Sequence, residues 1–366
     1  MLVPQLGYNT YAASVNHSGD VEDVRITIAR QLSILSGIKK LIMKLDITGQ
    51  INANDPDVES RSLMQLVTAI LTSSDSTVQF LHFEGLTHLG LSEDELIKLE
   101  EVSHESGMYL QDLAFVKCAW RSTDDFFAWF KFFPAMEKLM YRHNIWLEPP
   151  RNPQISVPVL DYLTWLEVLA SSVEDLIIFK GIVDRAPYVR HLKLCFTPLQ
   201  VSERLADDVI SSINFFDLRD LTDLHLRLPS LEYTSLEWAF NVLEQCMPAA
   251  LRKHSGWSTE EVSDISSDWD HPSIRALKFD IWLHSATDLA TPGWAELTQV
   301  MSTLCGGRLS DKEWGVREVS ITQRGTLALQ EAAYLVNACT PFAAGCIQVE
   351  LGDAEERDLE PTLLNS

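Results

Sequence analysis

Apolar and polar positions along the chain fall into a recurring phrase: an apolar residue, two polar ones, then Leu-x-apolar. It runs over Ile38–Leu45, Val78–Phe83, Leu110–Phe115, Met136–Tyr141, Val173–Ile178, Val189–Leu194, Leu221–Leu228, Ile274–Phe279 and Val316–Ile321, and most weakly over Ile347–Leu351. The second half of each phrase alternates with period two, which predicts a strand with one face buried. Between the phrases the apolar period lengthens to that of a helix. Val21, Val24, Ile28, Leu32 and Leu35 share one helical face, and so do Leu63, Leu66, Val67, Ile70 and Leu71. Further helices are predicted over 93–104, 123–133, 159–170, 201–213, 235–247, 292–305 and 327–339. Alternating helix and strand implies right-handed crossovers and a parallel sheet.

The polar members of the strands separate the possible closures. In a sheet covered on both faces, strands read as continuous apolar runs. Here Lys44, His82, Glu84, Lys193, His225, Arg227, Lys278 and Asp280 stand between the apolar positions. One face is therefore expected to be wet, as in a solenoid whose helices cover the convex side only. The expected fold is an α/β solenoid with about ten parallel strands on a concave face.

The phrase resembles the leucine-rich repeat, Leu-x-x-Leu-x-Leu, over nearly the whole chain. Separations between fourth positions are irregular, from 16 residues (Leu176 to Leu192) to 53 (Leu224 to Leu277), against about 20–29 in regular repeats. Cys118 and Asn144 are the candidates for the Cys or Asn that turns the chain after a leucine-rich-repeat strand. Such long, irregular repeats are similar to the substrate-recognition region of fungal F-box proteins, although no F-box is visible in Met1–Ser36. That resemblance implies substrate recruitment for ubiquitination and a ubiquitin-ligase adaptor as partner. Within the 16-residue interval, either a bare loop through Arg185–Pro187 joins two strands or one of the two phrases is misread. Lys253–Pro272, rich in Ser, Asp and Glu, reads as a projecting loop.

Composition sharpens this reading. The 366 residues carry 29 Lys+Arg and 52 Asp+Glu, a net charge of −23, with 46% hydrophobic residues. Length allows two or three domains or one array. The repeats favour the array, with an N-terminal segment and capping helix over 1–37, the solenoid over 38–352 and an acidic tail over 353–366. The charge argues against nucleic acid or an anionic membrane as partner. The N-terminus lacks the basic flank of a signal peptide, and no run of about 18 apolar residues occurs. The six dispersed cysteines read as reduced thiols of a cytoplasmic or nuclear protein.

No phosphate-binding glycine loop, zinc-protease motif or nucleophile elbow is present, so neither catalysis nor a cofactor or metal is expected. Asp264, Asp268 and Asp270 lack the glycine and terminal glutamate of a calcium loop. Phe126, Trp129, Phe130 and Phe133 share a helical face and read as core, leaving Phe127 or Phe132 for an exposed apolar patch.

Strand parity supplies the candidate site. If each Leu and its i+2 partner point inward, the residues between them line the concave sheet. Met140, Arg142, Ile177, Phe179, Lys193, His225, Arg227, Lys278 and Trp282 form its middle. From Arg142 to Lys278 that lining carries cations and no acid, which points to an acidic segment of another protein as ligand. The alternative is an enzyme on a parallel sheet with helices on both faces. It predicts Arg142, His143, Lys180 and Asp353 converging at the C-terminal strand ends.

Overall fold

The computed structural model describes residues 2–4, 10–15, 40–45, 78–86, 110–133, 135–147, 158–196, 212–229, 233–246, 274–283, 285–306, 318–324 and 347–351, with single positions 68, 71, 97, 99–101 and 231. The helices expected over 21–35 and 327–339, the 201–211 part of that expected over 201–213, the 253–272 loop and the 353–366 tail lie outside the described residues. The chain forms two compact units, 1–188 and 189–366.

Unit 1 contains β1 (Leu2–Pro4), β2 (Thr10–Val15), β3 (Lys40–Leu45), β4 (Phe80–Glu84), β5 (Asp112–Val116), β6 (Ala119–Trp120), β7 (Lys138–Arg142), β8 (Ile145–Trp146) and β9 (Trp165–Ala170). Helix α1 (Thr123–Phe130) lies between β6 and β7, and helix α2 (Val173–Val183) follows β9. β1 pairs antiparallel with β2, while β2, β3, β4, β5, β7 and β9 pair in parallel, each with the next. Unit 2 contains β10 (His191–Phe196), β11 (Asp223–Leu228), β12 (Ala276–Trp282), β13 (Glu318–Arg324) and β14 (Ile347–Leu351), again parallel in chain order. Its helices are α3 (Tyr233–Cys246) and α4 (Pro292–Gly306). The protein is thus α/β, built on mostly parallel sheet.

The repeated phrase becomes a register. Leu41, Leu81, Leu113, Leu139 and Leu166 are successive partners in unit 1. In unit 2 the corresponding partners are Leu192, Leu224, Leu277, Val319 and Ile347. The opening residues of the phrase, Leu110, Met136, Val189 and Leu221, are buried beside them. Just before each strand, one carbonyl receives two amides. Gln79 O accepts from the amides of Gln111 and Asp112, Gln111 O from those of Glu137 and Lys138, and Glu137 O from those of Thr164 and Trp165. In unit 2 Arg190 O takes the amides of Thr222 and Asp223, and Thr222 O those of Arg275 and Ala276. Within each unit, period-two alternation and this shared hydrogen bonding hold these strands at the same phase, so equivalent leucines stack into an apolar ladder.

Two expectations are corrected between Met140 and Leu192. Residues 165–170 form strand β9, not a helix, and residues 173–178 open helix α2, not a strand. The local chemistry explains both. Leu163-Thr-Trp-Leu166-Glu-Val168 carries the same phrase as its neighbours, with Trp165 where Val78–Phe83 has Phe80 and most other phrases have a polar residue. Val173-Glu-Asp-Leu176 mimics the phrase, but Ser172 precedes it. The Ser172 hydroxyl accepts the Asp175 amide and the Asp175 carboxylate accepts the Ser172 amide, a capping box that starts a helix. With β9 restored, Leu139, Leu166 and Leu192 lie 27 and 26 residues apart, and the 16-residue interval disappears. The segment 1–37 contributes strands β1 and β2; Tyr11, Ala13 and Val15 of β2 pair with Leu41, Met43 and Leu45.

In unit 1 the core is aromatic. Phe115 lies edge-on to Trp120, and Trp120 to Phe126, with ring centroids 4.8 and 5.0 Å apart. Trp129 sits edge-on to Phe83 at 5.2 Å. Edge-to-face pairs of this kind add to what burial alone contributes. Phe127 and Phe132 are also buried, so neither supplies the exposed patch expected of them. Phe127 reaches α2, where a Cβ on Gly181 would stand 3.1 Å from the tip of its ring.

Strand exits in unit 1 share one device. Gly85, Lys117 and His143 follow β4, β5 and β7 in the left-handed region, at φ 70°, 53° and 50°. Their amides donate to the carbonyls of Val116, Arg142 and Leu169, the next strand in each case. Beyond two of these exits the backbone makes a small second sheet, β6 with β8. Asn144 ties it down: its Oδ1 accepts from the Cys118 amide at 3.1 Å and the Trp120 indole at 3.4 Å, and its Nδ2 donates to Phe115 O. Cys118 directs its thiol at the carbonyls of Phe83 and Val116. Burial pushes that thiol up to about 12, so it stays protonated and serves as a structural group. Cys118 and Asn144, the two turn candidates in the sequence, each follow one of these left-handed exits, Lys117 and His143.

Candidate interaction face of the sheet

Side chains that alternate with the core leucines line the other sheet face. In unit 2 they form two rows across the strands. Lys193, His225, Lys278 and Ser320 are partners in one; Cys195, Arg227, Asp280 and Thr322 in the next. Lys278 is exposed, whereas Lys193 and His225 are half-buried. Arg227 and Asp280 are buried, 1% and 2% exposed. Parallel partners stand about 4.8 Å apart across the strands. The first row is thus three adjacent basic side chains.

The next row contributes an ion cluster. The Asp280 carboxylate lies 3.3 Å from Arg227 Nε through one oxygen and 3.1 Å from His225 Nε2 through the other. The Arg227 guanidinium sits 5.2 Å from the centre of the Trp282 ring, a cation–π arrangement. A nearly inaccessible arginine of this kind is paired, not offered to a ligand. Lys193, His225, Arg227, Lys278 and Trp282 are thus brought together, and Asp280 completes the group.

Unit 1 divides the remaining candidates. Met140 is half-buried on β7 and faces Glu167 of β9. Arg142 pairs with that Glu167 at 2.5 Å, with the glutamate side chain almost wholly buried. Ile177 and Phe179 belong to α2, so neither lines the sheet; Phe179 is part of the core. The expected acid-free strip therefore contains an acid, Glu167, which reading 159–170 as a helix had hidden. Strand parity through Leu166 and Val168 was the signal that would have found it.

Of the residues expected for an enzyme, Arg142, His143 and Lys180 are described. Arg142 is held by Glu167, while Lys180 lies on α2 and pairs with Asp184 at 2.9 Å. His143 occupies the left-handed exit of β7, and Asp353 lies outside the described residues. Among the described residues no group of three or more His, Cys, Asp or Glu could hold a metal ion, and no helix is long and apolar enough to cross a membrane.

A third polar cluster is internal. The buried Asp175 carboxylate accepts from the Tyr141 hydroxyl and, at 3.0 Å, from the Trp146 indole. Its other oxygen accepts the amides of Ser171 and Ser172 and the Ser171 hydroxyl. Burial raises the Asp175 carboxyl above its usual range against the lowering pull of these donors. Burial and the facing carboxylate hold the Tyr141 hydroxyl well above its ordinary value. With five donors on two oxygens, this cluster joins β7, β8 and the start of α2.

Neither a protein-family model nor a curated protein matches this chain.

Proposed function

We propose that the chain is a non-catalytic recognition protein built from irregular leucine-rich-repeat-like repeats of solenoid type, and that it binds an acidic segment of another protein. The observation that carries this reading is the row Lys193–His225–Lys278 on adjacent strands of unit 2, above a buried arginine already neutralised by Asp280. Basic side chains set side by side on one sheet face attract a run of carboxylates. Trp282 adds an aromatic surface of the sort that anchors protein partners. The resemblance to fungal F-box receptors extends the proposal to recruitment of that partner for ubiquitination.

Arg142 and Arg227 are unsuitable probes, because reversing either would strand a buried acid. The double variant Lys193→Glu/Lys278→Glu is the suitable one. Affinity capture followed by mass spectrometry should recover a partner with an acidic segment from wild type, with recovery reduced about tenfold or more in the variant, since like charges now oppose it. Co-recovery of a ubiquitin-ligase adaptor supports the recruitment role. Equal recovery of every partner by wild type and variant overturns the basic row as the binding site.

A further inference from the structure

On β12 three side chains alternate with the core positions Leu277, Phe279 and Ile281: Lys278 is exposed, Asp280 buried and Trp282 half-buried. At the rise of a parallel strand, Lys278 and Trp282 stand about 13 Å apart along it. The Arg227 guanidinium, from the neighbouring β11, lies 5.2 Å from the centre of the Trp282 ring. Arg227 is buried, 1% exposed, whereas Trp282 is not. The part of the indole that meets solvent is therefore not the face that meets the guanidinium.

A cation over an aromatic face is held by the negative charge of that face and draws π density towards itself. The opposite face becomes a poorer host for a second cation and a better one for the negative face of another ring. Lys278 adds direct repulsion of any cation the ligand brings to this strand. An aliphatic side chain gains burial against the indole, but nothing from the polarity of the ring. Trp282 thus discriminates among partner side chains, and Lys278 sets how far from the acids the chosen one stands.

We propose that the acidic ligand carries an aromatic side chain about four extended residues from the carboxylate that meets Lys278, and that this ring docks on Trp282. This rests on the acidic-segment reading above and adds a second element to the ligand.

The test titrates the full chain into fluorescein-labelled peptides at low ionic strength, followed by anisotropy. Each peptide has four glutamates, a Gly-Ser-Gly spacer and a terminal Trp, Leu or Lys, and is made in both chain orders. In one order the Trp peptide should bind about fivefold more tightly than the Leu peptide, the size of one aromatic pair, and the Lys peptide more weakly than either. Trp282→Leu should bring the Trp and Leu peptides level while tetraglutamate alone binds as to wild type. Shortening the spacer to a single glycine supplies a readout without a variant, since the Trp then falls short of Trp282 and its advantage should disappear. Suppose Lys193→Glu/Lys278→Glu abolishes binding, but Trp is no better than Leu in either order, or its advantage survives Trp282→Leu or the short spacer. Either result overturns the aromatic anchor and leaves the acidic-segment reading standing. No binding of any peptide, or binding indifferent to the lysine reversals, overturns both.

Discussion

At the scale of single residues, the polar side chains divide by what they face. Arg142, Arg227, Glu167 and Asp280 alternate with core leucines, yet Arg142 is held against Glu167 and Arg227 against Asp280, with Glu167, Arg227 and Asp280 buried. Tyr141 and Asp175 are held inside the aromatic core. Tyr141 carries a pH prediction. Its folded hydroxyl keeps its proton well above the ordinary tyrosine value, whereas the unfolded chain releases it near about pH 10. The stability it contributes is therefore fully present below pH ~10 and is lost as pH rises through the folded value. Tyr141→Phe should cost about 1–3 kcal/mol at neutral pH, because Asp175 loses a donor. Denaturant melts of the two proteins should converge above pH ~10; a constant gap would mean that Tyr141 ionises in the fold as freely as in the open chain.

At the scale of elements, helices are positioned by what their first turns touch. α2 starts at the Ser172–Asp175 capping box, and the same Asp175 reaches back to β7 and β8. The N-terminal turn of α4 is set by contact. A Cβ on Gly293 would stand 2.1 Å from the Leu231 carbonyl oxygen and 2.7 Å from the side chain of Leu236 of α3. Gly181 of α2 is the milder case, since the nearest atom at 3.1 Å is the tip of the Phe127 ring. Gly293→Ala should therefore destabilise by about 2 kcal/mol or more despite the better helix propensity of alanine. Gly181→Ala should stay within about 1 kcal/mol of wild type, because the ring can give. Thermal melts of the two variants compare them directly, and equal effects would contradict the close approach at Gly293.

At the scale of the whole molecule, unit 2 is a ladder in which every strand depends on its neighbours. Leu224 is fully buried, with Leu192 and Leu277 as partners on either side. Leu224→Asp places a carboxylate in that ladder without a counter-charge and should cost several kcal/mol, on the order of 3–5, in chemical denaturation. An unchanged midpoint would show that the parity placing His225 on the opposite face is wrong. Net charge has to be read at this scale too. The total of −23 describes the whole chain, while the row Lys193–His225–Lys278 is locally basic.

Much of this was legible from the sequence because it is local. Period-two alternation is backbone geometry, so parity at Leu192, Leu224 and Leu277 followed from residues two apart, and the parallel α/β class followed from helix and strand taking turns. Capping at Ser172 is also local, but it was masked because Val173-Glu-Asp-Leu176 satisfies the strand phrase as well as a first helical turn. Only the tertiary structure decided which cations are spoken for. Arg142 meets a glutamate 25 positions later (167 − 142) and Arg227 an aspartate 53 positions later (280 − 227). No local pattern links partners so distant; strand pairing sets them side by side, and burial then makes charge pairing obligatory.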